Sequence, residues 1–260
     1  MMLQNRIKKL LGEGKAAWGS ALSDASELLA KATLKQGIDF LWIDTEHRPF
    51  GINEVQMVPI ICRLEGRDAM LRVPNLDPGL IKKGLDMGCS SIMVPQVDNA
   101  EQARLAVEYC KFPPEGSRGV GPVWPMLLDV DINDYLESAN RETCVIVQVE
   151  TAEGLANLER IAEVEGVDVV FAGPADISAS MGHLGNIGHP EVQKCLEDFP
   201  ARAAACGKPS GITFPGFDAC WKAYEQGYRF INVGNLMHFG QVGLGECLGK
   251  LRELEDSASG

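Results

Sequence analysis

Eight short apolar runs recur along the chain, each separated from the next by a stretch with helical spacing of apolar residues. The runs predict strands at 16–20, 40–43, 69–73, 91–94, 145–149, 169–172, 210–213 and 230–233. Several helical stretches end at glycines such as Gly37 and Gly66, which suit the left-handed conformation that often follows a helix. Eight alternating units predict an α/β fold: a closed (β/α)8 TIM barrel, spanning residues 1–260 as a single domain with a polar tail at 256–260.

One connection departs from this regularity. Residues 112–143 form a long link that contains PPEGSRGVGPVWP and a predicted short helix around 133–140. A loop of this length usually has a functional role or lies at an interface. The glycines of its GSRGVG stretch do not form a strand-to-helix phosphate loop.

Composition and charge narrow the possible partners. A content of 45% hydrophobic and 23% charged residues is typical of a globular protein. The formal net charge of -12 disfavours a nucleic acid as partner, and no apolar run approaches the length of a membrane span. The eight cysteines lack a CxxC pair and the dense spacing of a disulfide scaffold, which predicts reduced thiols and a cytoplasmic location.

Polar residues stand where the predicted strands end, and in a parallel barrel these ends form one mouth. Glu150 follows the fifth strand and Asp176 follows the sixth, in the stretch Gly173-Pro174-Ala175-Asp176. Two carboxylates in a partly dry pocket repel each other unless a cation lies between them, so we expect a divalent metal site. The alternative is that each is a helix cap or a solvated loop charge.

His47, Asp44 and Arg72 stand at the same predicted rim. Asp44 lies three residues before His47, close enough in a tight loop to hold the imidazole and prepare it as a general base. A histidine that caps or packs under the loop is the alternative. Arg72 would pair with a carboxylate or polarise a carbonyl, and a salt bridge to Glu46 or Glu150 is compatible with that role.

No lysine falls at the carboxyl end of a predicted strand. Schiff-base chemistry requires a lysine in the mouth, so carbonyl chemistry here would need a metal as electron sink.

Several segments carry a family resemblance: FLWIDTEHRPF (40–50), LRVPN (71–75), LDMGCSSIMVPQVDNAEQA (85–103), PPEGSRGVG (113–121), VQVETAEGLANLERIAEVEGVDVVFAGPADISASMG (147–182) and KPSGI (208–212). The chain resembles the metal-dependent class II pyruvate aldolases, the family of 4-hydroxy-2-oxoheptanedioate and 2-keto-3-deoxy-rhamnonate aldolases, which is related to citrate lyase β subunits. The match runs in order from about residue 3 to residue 245.

The resemblance implies a role for each matching position. Glu150 and Asp176 would hold the metal, His47 would accept a proton, and Arg72 would stabilise the transition state. Asp86 matches a family aspartate that raises the basicity of the histidine, and a subunit contact is one way in which the two residues would meet. The positions that match pyruvate contacts are Gln148, Gly173, Ala175 and Asp176.

The resemblance also implies an activity and an assembly. We expect reversible cleavage of a 4-hydroxy-2-oxo acid to pyruvate and an aldehyde through a metal-stabilised pyruvate enolate, and oxygen-only ligation suggests Mg²⁺, Mn²⁺ or Co²⁺. Members assemble as hexamers built from dimers that exchange their last helix, so a homohexamer is predicted. The alternatives are a lyase acting on a CoA thioester and a catalytically idle barrel that serves in assembly.

The chain departs from the family pattern at three places: Pro122–Met126, Gln96 and Asn235–Leu236. We expect these positions to line or adjoin the outer pocket. They leave the identity of the aldehyde open.

Overall fold

The structure, a computed structural model, describes residues 3–258. Within these residues eight parallel strands close into a barrel in chain order, and the last strand pairs with the first. The strands are β1 (Ala17–Ala21), β2 (Phe40–Asp44), β3 (Asp68–Arg72), β4 (Ser91–Val94), β5 (Cys144–Val149), β6 (Val169–Ala172), β7 (Ser210–Thr213) and β8 (Phe230–Asn235). The predicted single-domain (β/α)8 barrel is confirmed, and each predicted strand lies within two residues of an observed one.

Helices surround the barrel. They are α1 (Arg6–Gly12), α2 (Glu27–Leu34), α3 (Val58–Leu64), α4 (Pro78–Asp86), α5 (Ala100–Cys110), α6 (Trp124–Leu127), α7 (Ile132–Glu142), α8 (Ala152–Ala156), α9 (Leu158–Ala162), α10 (Pro174–Ser180), α11 (Pro190–Ala205), α12 (Phe217–Gln226) and α13 (Leu236–Ala258). The short helix predicted in the long link is α7. Part of the predicted polar tail is helical, because α13 continues to Ala258, whereas residues 259 and 260 lie outside the described range.

The barrel interior is filled by large apolar side chains. Phe40 and Phe230 stack with ring centroids 4.2 Å apart. The Phe40 ring occupies the space that a side chain at position 19 would need, so Gly19 on β1 allows the two rings to meet. A filled interior leaves the ends of the barrel as the places where a ligand can bind.

Helix α1 covers the amino end of the barrel. Ile7 packs into the interior cluster, and its backbone N–H donates to Asp68 Oδ2 at 2.8 Å. The open mouth is therefore at the carboxyl ends of the strands. No helix among the described residues is both long enough and apolar enough to cross a bilayer.

Candidate active site

A cavity of about 390 Å³ opens at the carboxyl ends of the strands. Residues from every side of the mouth contribute to it except from β4. Its lining residues are Ala21, Trp42, Asp44, His47, Arg48, Arg72, Gln148, Gly173, Pro174, Ala175, Asp176, Ile187, Thr213, Phe214, Pro215, Asn232, Gly234 and Asn235. Most of the residues predicted from the sequence to form the site therefore meet at one place.

Arg72 is held by two carboxylates. It lies opposite Asp44 in the β2–β3 register and donates from Nε to Oδ1 at 3.0 Å and from Nη2 to Oδ2 at 2.7 Å. Glu46 Oε2 lies 3.0 Å from Arg72 Nη1 as an ion pair without hydrogen-bond geometry. Burial alone would raise the pKa of Asp44, but hydrogen bonds and charge from Arg72 outweigh it and lower that pKa. The expected salt bridge from Arg72 to Glu46 is confirmed.

Trp42 supports the same guanidinium from below. Its ring centroid lies 4.9 Å from Arg72 Cζ, and the Phe171 ring packs edge-on against it with the two centroids 5.4 Å apart. The opposite face of the mouth contributes Gln148 Oε1, which accepts from Arg72 Nη1 at 3.5 Å. Sequence reasoning missed Trp42, because an apolar residue inside a strand looks like core.

His47 has a different environment from the one expected. Asp44 Oδ1 accepts a hydrogen bond from the backbone N–H of His47 at 3.3 Å, but the imidazole itself does not contact Asp44. The carboxylate is already engaged by Arg72. The imidazole is 60% exposed, and its Nε2 lies 3.7 Å from Glu46 Oε2. The predicted contact between Asp44 and the imidazole is therefore wrong within one chain, and Glu46 is the neighbouring carboxylate.

Glu150 is a buried carboxylate at the end of β5, only 2% exposed. It accepts hydrogen bonds from the backbone N–H of Gln96 at 3.0 Å and from Gln148 Nε2. Burial raises its pKa to about 8, and the negative charges of Asp176 and Glu46 add to that rise. Arg72 lowers it too little to compensate.

These residues fit a divalent cation. A carboxyl group that burial and two nearby acidic groups hold protonated near neutral pH gains a compensating charge when a cation binds it. Glu150 and Asp176 supply the carboxylate oxygens that Mg²⁺ and Mn²⁺ prefer. No lysine is among the cavity-lining residues. Lys208, which precedes β7, donates instead to Val167 O at 2.7 Å.

Gly173 is required at its position because a side chain there would collide with its neighbours. A Cβ would overlap Glu150 Oε2 and approach Gln148 Nε2 to 2.8 Å. Beyond Gly173, the chain enters α10, and Ala175 and Asp176 line the cavity. The four predicted pyruvate contacts thus lie together on the β5–β6 side.

Asp86 does not join this group within one chain. It lies at the end of α4, outside the cavity lining, and accepts from Arg118 Nη2 at 2.8 Å. The divergent stretch Pro122–Met126 packs beside it, with Val123 N donating to Asp86 O at 3.1 Å. Within one chain this stretch does not line the cavity, contrary to expectation, whereas Asn235 does.

A second group of possible metal ligands lies between α10 and α11. His183, His189 and Glu191 offer three ligand atoms within 4.8 Å of one another. His183 Nε2 lies 2.9 Å from Glu191 Oε2, and His189 Nδ1 accepts from the backbone N–H of Glu191 at 3.3 Å. The contact of His189 with the Glu191 N–H caps α11, and none of the three residues lines the cavity.

Comparison with known proteins places this geometry in a family. Residues 21–244 match the HpcH/HpaI aldolase/citrate lyase family. The chain is 40% identical over 235 residues to a 4-hydroxy-2-oxovalerate aldolase of Rhodococcus jostii (strain RHA1), covering 88% of this chain and 89% of that protein. It is 38% identical over 237 residues to a 5-keto-4-deoxy-D-glucarate aldolase of Escherichia coli (strain K12), covering 89% and 90%.

Solved structures agree. The crystal structure of an HpcH/HpaI aldolase/citrate lyase family protein from Burkholderia cenocepacia J2315 superposes with a TM-score of 0.90 at 34% identity, covering 96% of this chain and 100% of that one. The chain spans nearly the whole length of these relatives. The segment that matches the family contains β2 to β8 and the carboxylates Asp44, Glu150 and Asp176 near the carboxyl ends of these strands. The chain belongs to the HpcH/HpaI aldolase/citrate lyase family.

Proposed function

We propose that the chain is a divalent-metal-dependent aldolase that reversibly cleaves a 4-hydroxy-2-oxo acid to pyruvate and an aldehyde. The observation that carries the proposal is the buried Glu150 carboxylate, which is close enough to Asp176 and Arg72 for their charges to act on it, while Asp176 and Arg72 both line the cavity. Membership of an aldolase family supports it.

Glu150 and Asp176 would hold the cation. Bound there, a divalent cation supplies a Lewis acid that polarises the 2-oxo group and favours the enolate. Gln148 Nε2 and Gln96 N–H already donate to Glu150, which keeps its carboxylate oriented. We keep Mg²⁺, Mn²⁺ and Co²⁺ as the candidates, because the proposed ligands are oxygens.

The pyruvate part of the substrate would lie between Gln148 and the start of α10, against Gly173, Ala175 and Asp176. The absence of a side chain at Gly173 keeps this wall close to Glu150. Arg72 faces the same space, with Nε and Nη2 fixed by Asp44. A guanidinium held in this way stabilises negative charge on an oxygen as it develops, without having to reorient.

His47 would take the proton of the 4-hydroxyl group, directly or through a water molecule, when the C3–C4 bond breaks. The electron pair of that bond passes to the pyruvate part, and the 4-carbon becomes the aldehyde carbonyl. Glu46 Oε2, 3.7 Å from His47 Nε2, stabilises the protonated imidazole. Asp86 would act on the histidine of a neighbouring subunit, as the resemblance implies.

Pyruvate release from a panel of 4-hydroxy-2-oxo acids, measured with and without EDTA, tests the proposal. We expect release that EDTA abolishes and that added Mg²⁺ or Mn²⁺ restores. Release that EDTA does not affect would contradict metal dependence. Turnover of a CoA thioester instead would favour the alternative lyase, and inactivity on every substrate would favour the idle barrel.

The proposed assembly is a homohexamer with α13 docked on a neighbouring subunit. This 23-residue helix buries none of its residues against the rest of the described chain. Its exposed apolar side chains are Met237, Phe239, Val242, Leu244, Leu248, Leu251 and Leu254. A helix with so much exposed apolar surface needs a partner, and a second copy of this chain is the partner that we propose. We also propose a cytoplasmic location, which the eight free cysteines support.

A further inference from the structure

His183, His189 and Glu191 bring three possible metal ligands together in the segment that joins α10 to the first turn of α11. Their ligand atoms all lie within 4.8 Å of one another. None of the three residues lines the cavity, and the proposed aldol reaction assigns a role to none of them. This His-His-Glu group is therefore distinct from the acidic residues of the mouth.

Two turns between α10 and α11 bring the histidines face to face. The backbone N–H of Asn186 donates to His183 O at 2.8 Å, and the backbone N–H of His189 donates to Asn186 O at 3.0 Å. The two imidazole rings stack, with centroids 3.4 Å apart and an angle of 16° between their planes. The segment is thus folded by its own hydrogen bonds, and both rings are in place before any ion binds.

Both histidines present a ring nitrogen to Glu191. His183 Nε2 lies 2.9 Å from Glu191 Oε2, so any hydrogen on this nitrogen points at the carboxylate, and a metal ion binds in its place. His189 Nδ1 accepts from the backbone N–H of Glu191 at 3.3 Å. A backbone N–H can only donate, so His189 Nδ1 carries a lone pair and no hydrogen. Two nitrogens and one carboxylate oxygen therefore converge.

We propose that the His-His-Glu group binds Zn²⁺ or a transition-metal ion of similar ligand preference. Imidazole nitrogens suit zinc, copper and nickel, whereas magnesium and manganese prefer oxygen. Ligand atoms around a tetrahedral zinc ion stand about 3.3 Å apart, because the bonds are about 2.0–2.1 Å long. The Glu191 side chain is 68% exposed and free to rotate, so it can close the remaining gaps. A water molecule would complete the coordination.

The charge and position of Glu191 give the site a consequence for the mouth. The Glu191 carboxylate offsets the positive end of the α11 dipole, which would otherwise disfavour a cation there. Ile187, between the two histidines in the chain, lines the cavity, and its carbonyl accepts from Gln193 Nε2 at 3.0 Å. An ion that joins His183 to Glu191 therefore restrains the segment that carries Ile187, and with it one wall of the mouth.

Calorimetric titration of the untagged full-length chain with Zn²⁺ tests the site. Glu150→Gln is the background, because it lacks a proposed ligand of the cavity metal. We expect it to bind one zinc ion per chain. Adding His183→Gln should weaken this binding at least about tenfold, since loss of a residue that merely orients a ligand already costs about 10–100-fold.

His189→Asn is a second variant in the same background. Asparagine keeps an oxygen that accepts from the Glu191 N–H and caps α11, but it removes the imidazole ligand. It should weaken zinc binding as His183→Gln does, while circular dichroism stays unchanged. His238→Gln is the matched control, because His238 lies on α13 and contacts Phe239 instead of the group. It should leave the zinc affinity unchanged.

Hydrogen exchange measures the restraint on the wall. Zinc should slow exchange of the backbone N–H groups from 183 to 191 in Glu150→Gln, and should not do so once His183→Gln is added. Exchange that zinc leaves unchanged in Glu150→Gln would overturn the restraint on Ile187.

Three results would overturn the site itself. They are the absence of zinc binding in Glu150→Gln, an affinity that survives both His183→Gln and His189→Asn, and an equal loss of affinity in His238→Gln. None of these measurements depends on turnover, so failure of the proposed aldolase function would leave the test of the zinc site intact.

Discussion

Arg72 and Asp44 are register partners at the ends of two adjacent strands, and two hydrogen bonds of 3.0 Å and 2.7 Å join the guanidinium to the carboxylate. This pairing uses two nitrogens of Arg72 and leaves Nη1 near Glu46 and Gln148. The arginine is therefore oriented before substrate binds, and the aspartate that holds it has no oxygen directed at the imidazole of His47. Arg72 and Asp44 therefore form one unit, and its role differs from that of His47.

The metal ligands should be essential for activity but not for folding. Glu150→Gln and Asp176→Asn should abolish pyruvate release, because each removes a proposed ligand. The thermal midpoint of Glu150→Gln should stay the same or rise, since a neutral amide replaces a buried carboxyl group whose charged form is disfavoured by burial and by Asp176. Activity assays and thermal unfolding check this. Borohydride should trap no substrate on the protein, and covalent capture of pyruvate on a lysine would sink the metal mechanism.

His47 and Arg72 should be separable by comparing two reactions. Decarboxylation of oxaloacetate produces the same pyruvate enolate but has no hydroxyl proton to remove. His47→Ala should therefore lose aldol cleavage by about 10²–10⁴-fold and largely retain decarboxylation, whereas Arg72→Ala should impair both.

The measurement is kcat/KM for both reactions at saturating Mn²⁺ or Mg²⁺. Arg72→Lys should rescue poorly, because an ammonium cannot reproduce the two-point contact with Asp44. If kcat/KM fell equally for both reactions in His47→Ala, the assignment of His47 as the base would be wrong.

Gly173→Ala should inactivate the enzyme through a single added methyl group. The new Cβ would overlap Glu150 Oε2 and crowd Gln148 Nε2, so the proposed metal ligand must move. We expect weaker Mn²⁺ binding, measured by calorimetry, together with loss of pyruvate release. Gly12→Ala is the control, because no atom lies within 4 Å of its added Cβ. Unchanged Mn²⁺ affinity in Gly173→Ala would show that this wall does not define the metal site.

Asp68 should make the protein less stable as pH rises from about 4 to 6. Burial raises its pKa to about 6 from 3.8, so in this window the folded state keeps the proton and the unfolded state loses it. Folding is therefore opposed increasingly as pH rises, by about 3 kcal/mol once pH exceeds 6.

Urea unfolding of wild type and Asp68→Asn at several pH values measures this effect. The free energy of unfolding of wild type relative to the variant should fall across the window and then level off. Asp198→Asn, an exposed aspartate on α11, should show no such change. A wild-type stability that rises relative to Asp68→Asn over the same range would mean that Asp68 is stabilised as a carboxylate.

Helix α13 should hold the assembly together. Leu244→Glu combined with Leu248→Glu places two charges on the exposed apolar face and should dissociate the homohexamer at micromolar concentration. Sedimentation velocity measures the change, with Leu28→Glu on α2 as a control outside the helix. A wild-type monomer at that concentration would refute the proposed assembly.

The sequence by itself determined the barrel. Strands such as β2, β3 and β5 are buried on both faces and consist mostly of apolar residues, so Asp44, Arg72 and Glu150 stand out because they interrupt the pattern where these strands end. Chain order then places these ends at one mouth, since parallel strands with helical crossovers all run in the same direction. The grouping of His47, Arg72, Gln148 and Asp176 around one cavity followed from that rule.

Only the tertiary structure decided which of these groups pair. Spacing suggested that Asp44 holds His47, but strand register brings Arg72 opposite Asp44, and a two-point ion pair occupies the carboxylate. Likewise Arg48 and Asn235 are 187 positions apart in the chain and line the same cavity only because β8 closes on β1. Side chains pair only when segments that are far apart in the sequence come within a few ångströms of each other in the fold. Local sequence patterns carry no such information.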